Sequence, residues 1–271
     1  MEDAFVANLA FGCGGDYAGA AKKKHIAWKE ATSPALFGIF DGHGGARCSN
    51  FVSRRLPRVL FECSDFPDDI PKAMQTAFVE TDKLWLKKAK SKKWIDGSTG
   101  IVGLVYGDTL YVANAGDSRG VLCQNGQVVA VSVDHKPTDP GETERITKYG
   151  GTVTKGRING NLAVSRGFGD IEFKDSETLG EKYVTVDPDV RDFKITEQTS
   201  FLILACDGLW DTVTNEQAVE LVQGQLAAST ITKSENRDLF SICVDLVALA
   251  YKQESRDNIS CLLVVFEHPK K

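Results

Sequence analysis

Acids stand at the ends of apolar, strand-like runs in this chain, and glycine follows two of them directly. Asp41 follows "ALFGIF" and leads into Gly42-His43-Gly44-Gly45, and Asp207 follows "SFLILAC" and leads into Gly208. Asp257 lies two residues before "ISCLLVVF", while Glu2 and Asp3 precede "AFVANLA". A carboxylate at the edge of a buried strand is costly unless it meets a cation or a dense set of donors. Any one of these acids alone reads as a turn-forming Asp-Gly or its equivalent. Their recurrence in one chain points to bound cations, and acid clusters without cysteine select hard divalent ions, magnesium or manganese. Glycine at position 42 lets the backbone approach an ion and offer its own carbonyl.

Two such ions about 4 Å apart can share a carboxylate and a water, acidify the water and clamp a phosphoryl group for in-line attack. Phosphoester hydrolysis is therefore the leading chemistry. His43, two residues from Asp41 and flanked by glycines, is placed to protonate a leaving oxygen as a general acid. The other histidines read as structural or solvent-facing: His25 after three lysines, His135 in the turn "DHKP", His268 in the tail. An EF-hand reading of "DGHGG" or "DGLWDTVTNE" fails, because the glycine is misplaced and the alternating oxygen ligands are missing.

The elements that must position these residues follow from pattern. The chain has 271 residues and 42% hydrophobic content, enough for a real core, and it shows neither repeat nor linker, so one domain over 1–271 is expected. A net charge of −5, spread along the sequence, gives no footprint for nucleic acid and argues against a nuclease or an acidic lipid surface as partner. No apolar run approaches the roughly 18 residues of a membrane span. The acidic start "MEDAFVANLAFGCGG" does not resemble a secretory signal. The seven cysteines form no C-x-x-C pair, so a reducing cytoplasmic or nuclear setting is expected.

Strands are predicted over 4–10, 35–40, 100–106, 109–115, 120–124, 127–132, 161–165, 200–206 and 259–266. Gly107-Asp108, Asn125-Gly126 and Asn159-Gly160 supply turns between apolar runs and predict antiparallel pairing. Apolar stripes at helical spacing predict helices over 48–60 and 70–85 and two more from Ala218 and from Leu239. The lysines at 87, 88, 90, 92 and 93 read as a solvated helix end. "TDPGETERITKYGG" carries its own boundaries, with Asp139 as N-cap, Pro140 at the first position, Glu142 closing a capping box and Gly150-Gly151 as the stop. Helix pairs on either side of antiparallel hairpins give an α+β class.

The motifs "FGIFDGHGG", "DGSTG", "VANAGDSRG", "DHKP", "NGNLAVSRGFGD", "PDV", "ACDGLWD" and "RDNIS", in this order, resemble those of the metal-dependent serine/threonine protein phosphatases of type 2C, the PPM family. The resemblance spans nearly the whole chain. It implies a four-layer αββα sandwich of two antiparallel sheets flanked by helix pairs, with a small flap subdomain near 151–188 whose "IEFKDSETLGEKYVTV" is the variable stretch. It implies hydrolysis of phosphoserine and phosphothreonine in protein partners by a monomer holding two Mn²⁺ or Mg²⁺ ions. Asp41 corresponds to the bridging ligand, the Gly42 carbonyl and Glu2 to ligands of one ion, and Asp207 and Asp257 to ligands of the other. Asp3 matches an acid that orients water, and His43 matches the general acid. Many members bind a third, weaker ion near the acids matching Asp117 and Asp211, although Asp117 alone also reads as an Asx turn neutralised by Arg119. Arg166 is expected in a structural ion pair.

Two departures stand out. Family members carry an additional strand and a phosphate-holding arginine before the element matching Met1-Glu2-Asp3, where this sequence starts. Gly100 replaces a usual alanine, with little effect expected. The alternative function is a catalytically silent relative that serves as a regulatory binding module; the presence of Glu2, Asp41, Asp207, Asp257 and His43 favours the enzyme.

Overall fold

Alternating side chains along a single strand set the layers of this molecule. In β2 (Ala35–Phe40), Leu36 and Phe40 enter one apolar cluster while Phe37 and Ile39 enter another, as a period of two requires. The computed structural model describes residues 2–8, 34–175, 177–178, 180–231 and 239–268. In it β2 belongs to a five-stranded antiparallel sheet with the order β1 (Ala4–Asn8), β2, β5 (Gly100–Tyr106), β6 (Thr109–Ala115) and β12 (Asp189–Lys194). A four-stranded sheet runs β14 (Cys261–Val265), β13 (Thr199–Ala205), β7 (Arg119–Gln124) and β8 (Gln127–Ala130).

Helices α1 (Arg47–Phe61) and α2 (Ile70–Lys92) cover the outer face of the first sheet, packing Val52, Leu56, Phe78 and Trp85 against Leu36, Phe40, Val102 and Leu104. Helices α5 (Asn215–Ile231) and α6 (Leu239–Lys252) cover the second, with Ala218, Val222, Ile242 and Leu246 against Val121, Phe201 and Ile203. Between the sheets, Ile39, Ile101 and Leu110 meet Leu122, Leu202 and Leu204. The result is the expected α+β, four-layer αββα sandwich. No described helix is long and apolar enough to cross a membrane.

Several local expectations change. Helix α2 runs past residue 85 because Leu86 and Ala89 continue its buried face; the exposed lysines form its solvated end, and Lys93 closes it in the left-handed region. The segment 161–165 is no strand: Leu162 makes one isolated bridge to Ile158, and the chain then turns to deliver Arg166. Strand β12 escapes pattern reading because four of its six residues are charged, which suits an exposed sheet edge. The positions Leu9, Ala10, Cys13 and His25 lie outside the described residues. His268, expected to face solvent, is partly buried and bonds the Thr199 carbonyl at 2.7 Å.

Helix α3 (Pro140–Lys148) begins after Asp139 as its residues require. The capping box does not form, however: Asp139 accepts from the Lys136 amide at 3.0 Å, and Glu142 instead holds Arg166 and Arg145, each at 2.8 Å. Burial acts to raise the Glu142 pKa, but hydrogen bonds from Arg166 and Arg145 outweigh it and bring it down to about 2. Arg166 also reaches Asp189 on β12 at 3.1 Å, the structural ion pairing expected of it. Because the folded pKa lies below the ordinary 4.5, this stabilisation is fully present above pH 4.5 and is lost as pH falls toward 2. Glu142→Gln is expected to cost on the order of 3 kcal/mol at pH 7. Urea unfolding at pH 7 and pH 3 checks this, since the gap between wild type and variant should narrow in acid.

Segment 151–188 packs onto Ile146 of α3 in a small separate cluster, with Ile158 and Val184 buried and Val153, Leu162, Phe173 and Tyr183 against them. It holds the hairpin of β9 (Val153–Thr154) and β10 (Arg157–Ile158), whose turn residues Lys155 and Gly156 take positive φ, as do Asn159 and Gly160 in the turn that follows β10. Within it Lys174, after a short 3-10 turn (Ile171–Phe173), is buried.

Candidate active site

Strand β2 ends in the acid. Asp41 is held at the strand's edge by its carbonyl, which accepts from the Thr99 amide at 2.8 Å, and by its own amide, which donates to Thr99 Oγ1 at 3.3 Å. Thr99 is fixed in turn by Ser118 at 2.8 Å. The residue after the acid must be glycine: a Cβ on Gly42 would lie 2.4 Å from the Glu2 carbonyl and 2.8 Å from Ser49 Oγ. Gly208 obeys the same logic, since a Cβ there would lie 2.0 Å from the Asn258 carbonyl. That contact brings Asp207, at the start of the short α4 (Asp207–Trp210), beside the loop that carries Asp257. Asn258 Oδ1 accepts the Glu2 amide at 3.0 Å, and Ser260 Oγ donates to Asp3 Oδ2 at 2.7 Å, so the two ends of the described chain meet at the site.

The electrostatics show which acids face one another. Burial, followed by the carboxylates of Asp3, Asp207 and Asp117, pushes Asp41 up to about 9. Burial and the charges of Asp117 and Asp211 lift Asp207 to about 6 against the pull of Lys136, with Asp257 contributing. Burial raises Asp211 as well, with Lys136 opposing and Asp117 reinforcing. Lys136, not Arg119, neutralises Asp117, at 2.5 Å; Arg119 forks onto Asp134 at 2.7 and 2.9 Å.

This donor set fits hard divalent cations. Every donor is oxygen, the carboxylates repel one another with Lys136 to offset them only in part, and Asp3 Oδ1 and Asp207 Oδ1 are buried with no hydrogen-bond partner. Among the described residues no group of three acids is closed to metal-ligand spacing. The acids are electrostatic neighbours held by their own strands and loops.

Sequence reading missed the partner of His43. A three-stranded ribbon of β11 (Phe168–Gly169), β4 (Gly97–Ser98) and β3 (Gly42–His43) aligns Gly169, Gly97 and His43 in one row. Asp170, the next residue, is 4% exposed and reaches across that row to place Oδ1 2.7 Å from His43 Nε2. Burial works to lower the His43 pKa, but the Asp170 carboxylate prevails and raises it. Gly97 makes the contact possible, because a Cβ there would lie 2.3 Å from both Asp170 Oδ1 and His43 Nε2. The signal lay in "GFGD", where an acid follows two glycines, but nothing in its spacing points to residue 43. His135 is the buried structural histidine expected: its Nδ1 accepts the Gly116 amide at 3.3 Å, and burial lowers its pKa.

Gly97→Ala is therefore expected to part His43 from Asp170 and to lower turnover of alkyl phosphoesters by about tenfold to a hundredfold, within the range of one general acid. Steady-state kinetics beside a melting curve checks it, since the melting temperature should fall far less than the rate.

The Protein phosphatase 2C family model matches residues 6–259. "Probable protein phosphatase 2C 45" of Oryza sativa subsp. japonica is 41% identical over 236 residues, covering 86% of this chain and 77% of that one. "Protein phosphatase 2C homolog 2" of Hypocrea jecorina is 39% identical over 245 residues, covering 87% of this chain and 54% of that one. A solved phosphatase from a pathogenic strain of Toxoplasma gondii superposes with a TM-score of 0.73 at 26% identity, covering 88% of this chain and 87% of that one. The chain thus spans roughly half to three quarters of the length of these curated relatives. A family match over nearly all of the sequence, together with the sandwich and the acids gathered at its edge, shows that the chain belongs to the protein phosphatase 2C family.

Proposed function

We propose that this chain is a metal-dependent phosphatase that hydrolyses phosphoserine and phosphothreonine in protein substrates. The observation that carries the reading is the half-buried Asp41, facing the carboxylates of Asp3, Asp207 and Asp117 and standing two residues from a histidine held by its own carboxylate. Asp41, the Gly42 carbonyl, Glu2, Asp207 and Asp257 would hold two Mn²⁺ or Mg²⁺ ions, with Asp3 orienting water and Asp117 and Asp211 offering a further site. When bound, such ions lower the pKa of water and clamp phosphoryl oxygens.

The chain's own residues supply the rest. Asp170 binds Nε2 of His43 and favours the imidazolium, which leaves the Nδ1 proton available. As the bond from phosphorus to the seryl or threonyl oxygen breaks, that proton passes to the departing oxygen, and neutral imidazole remains. Thr99 and Ser118 keep Asp41 in register while this happens.

Phosphate release from matched phosphoserine, phosphothreonine and phosphotyrosine peptides and from a nucleoside monophosphate tests the substrate class. The alkyl phosphopeptides should be turned over fastest; preference for the nucleotide would overturn the reading.

A further inference from the structure

Beneath Asp170 lies an ion pair that contributes nothing to the surface of the site. Asp82 on α2 and Lys174 are each 3% exposed, and their charged ends meet directly. Both also bind the backbone of the same short segment: Asp82 Oδ1 accepts the Gly169 amide at 2.7 Å, and Lys174 Nζ donates to the Gly167 carbonyl at 3.0 Å. The two peptide groups that flank Phe168 are thus gripped, one by an acceptor and one by a donor. Phe168 itself packs on Phe78 of α2, with ring centroids 5.0 Å apart.

Two buried charges are a poor source of stability, since well-packed apolar residues of similar volume often do as well or better. What an apolar pair cannot do is satisfy Gly169 N–H and Gly167 C=O in fixed directions. The next residue along is Asp170, in the left-handed region at φ 52°, reached through Gly169 at φ 76°. Gly169 has no room to shift: a Cβ there would lie 2.4 Å from the Asp96 carbonyl and 2.9 Å from Trp85 Nε1. The direction of Asp170 is therefore set by where the 167–169 backbone is held.

We propose that Asp82 and Lys174 are positioning residues for the reaction: the pair fixes the Gly167–Gly169 backbone so that Asp170 meets His43. The proposal rests on the reading of His43 as proton donor. Neither residue touches substrate, and their effect travels through one strand and one hydrogen bond.

The test is the double variant Asp82→Ala/Lys174→Met, which removes both grips without leaving a buried charge unpaired. In metal-free protein, the imidazole nitrogen shifts of His43 measured by NMR should move toward those of Asp170→Asn. In the Mn²⁺-loaded enzyme, kcat for a phosphothreonine peptide should fall about tenfold while kcat for an aryl phosphate, whose leaving group needs no proton, falls less than about threefold. Native His43 shifts, or equal losses on the two substrates, would overturn the proposal. Should the double variant melt below the assay temperature, Lys174→Gln carries the same two readouts at smaller amplitude and is judged by the same outcomes. His43→Ala separates the layers of the argument: if it shows no difference between the two substrates, the proton-donor reading fails, whereas a difference there with none in the double variant sinks only the positioning role.

Discussion

Asp41→Asn should abolish metal-supported phosphate release and, in the metal-free protein, raise stability. Both effects have one origin. Asp41 is half-buried beside Asp3, Asp207 and Asp117, and desolvation and those charges raise its pKa from 3.8 to about 9. Between those values the folded protein binds more protons than the unfolded chain, so metal-free stability declines as pH rises through the interval. Asparagine is neutral throughout and removes that penalty, while it also removes the central acid that cations need. The expected gain is about 1–2 kcal/mol at pH 8 in chelator, the usual scale for relieving a functional strain, read as a higher urea midpoint. The expected loss of activity is on the order of 10³-fold or more, several kcal/mol of transition-state stabilisation. A variant that is less stable without metal and still active with it would contradict the electrostatic account.

His43→Ala is the second large effect, and its signature is selectivity. A threonyl oxygen leaves as a strong base and needs a proton, whereas an aryl oxygen leaves unaided. The variant should lose about 10² to 10⁴ in kcat on a phosphothreonine peptide, the range for one general acid, and less than about tenfold on an aryl phosphate. Asp170→Asn should reproduce the pattern in weaker form, because it leaves the imidazole in place and removes only the carboxylate that favours its protonation. Losses of equal size on both substrates would place His43 in a structural role.

The layers were legible in the sequence because their signals are strong. Leu36-Phe37-Ile39-Phe40 alternates between two cores, Asn125-Gly126 supplies the positive φ of a hairpin, and the stripe from Cys48 to Leu60 forms α1. Asp41 and Asp207 stood out for a physical reason, being acids at the ends of apolar strands. What escaped were features fixed by tertiary contact. Strand β12 is too charged to read as a strand, and it pairs because β6 offers an edge and Arg166 and His135 gather on Asp189. Asp170 sits 127 positions from His43, and only the glycine row of a two-residue ribbon joins them. Asp82 and Lys174 carry no local signal at all, since their pairing spans 92 positions. In each case the local pattern was silent because the partner came from a distant element.

The central claim is that carboxylates gathered around Asp41 hold divalent cations for phosphoester hydrolysis. The most direct measurement follows phosphate release from a phosphothreonine peptide by chelator-stripped protein as Mn²⁺ or Mg²⁺ is titrated back. Turnover absent in chelator, restored by either ion and absent at every ion concentration in Asp41→Asn is the predicted result. Turnover that persists in chelator, or that the variant recovers in full, would contradict it.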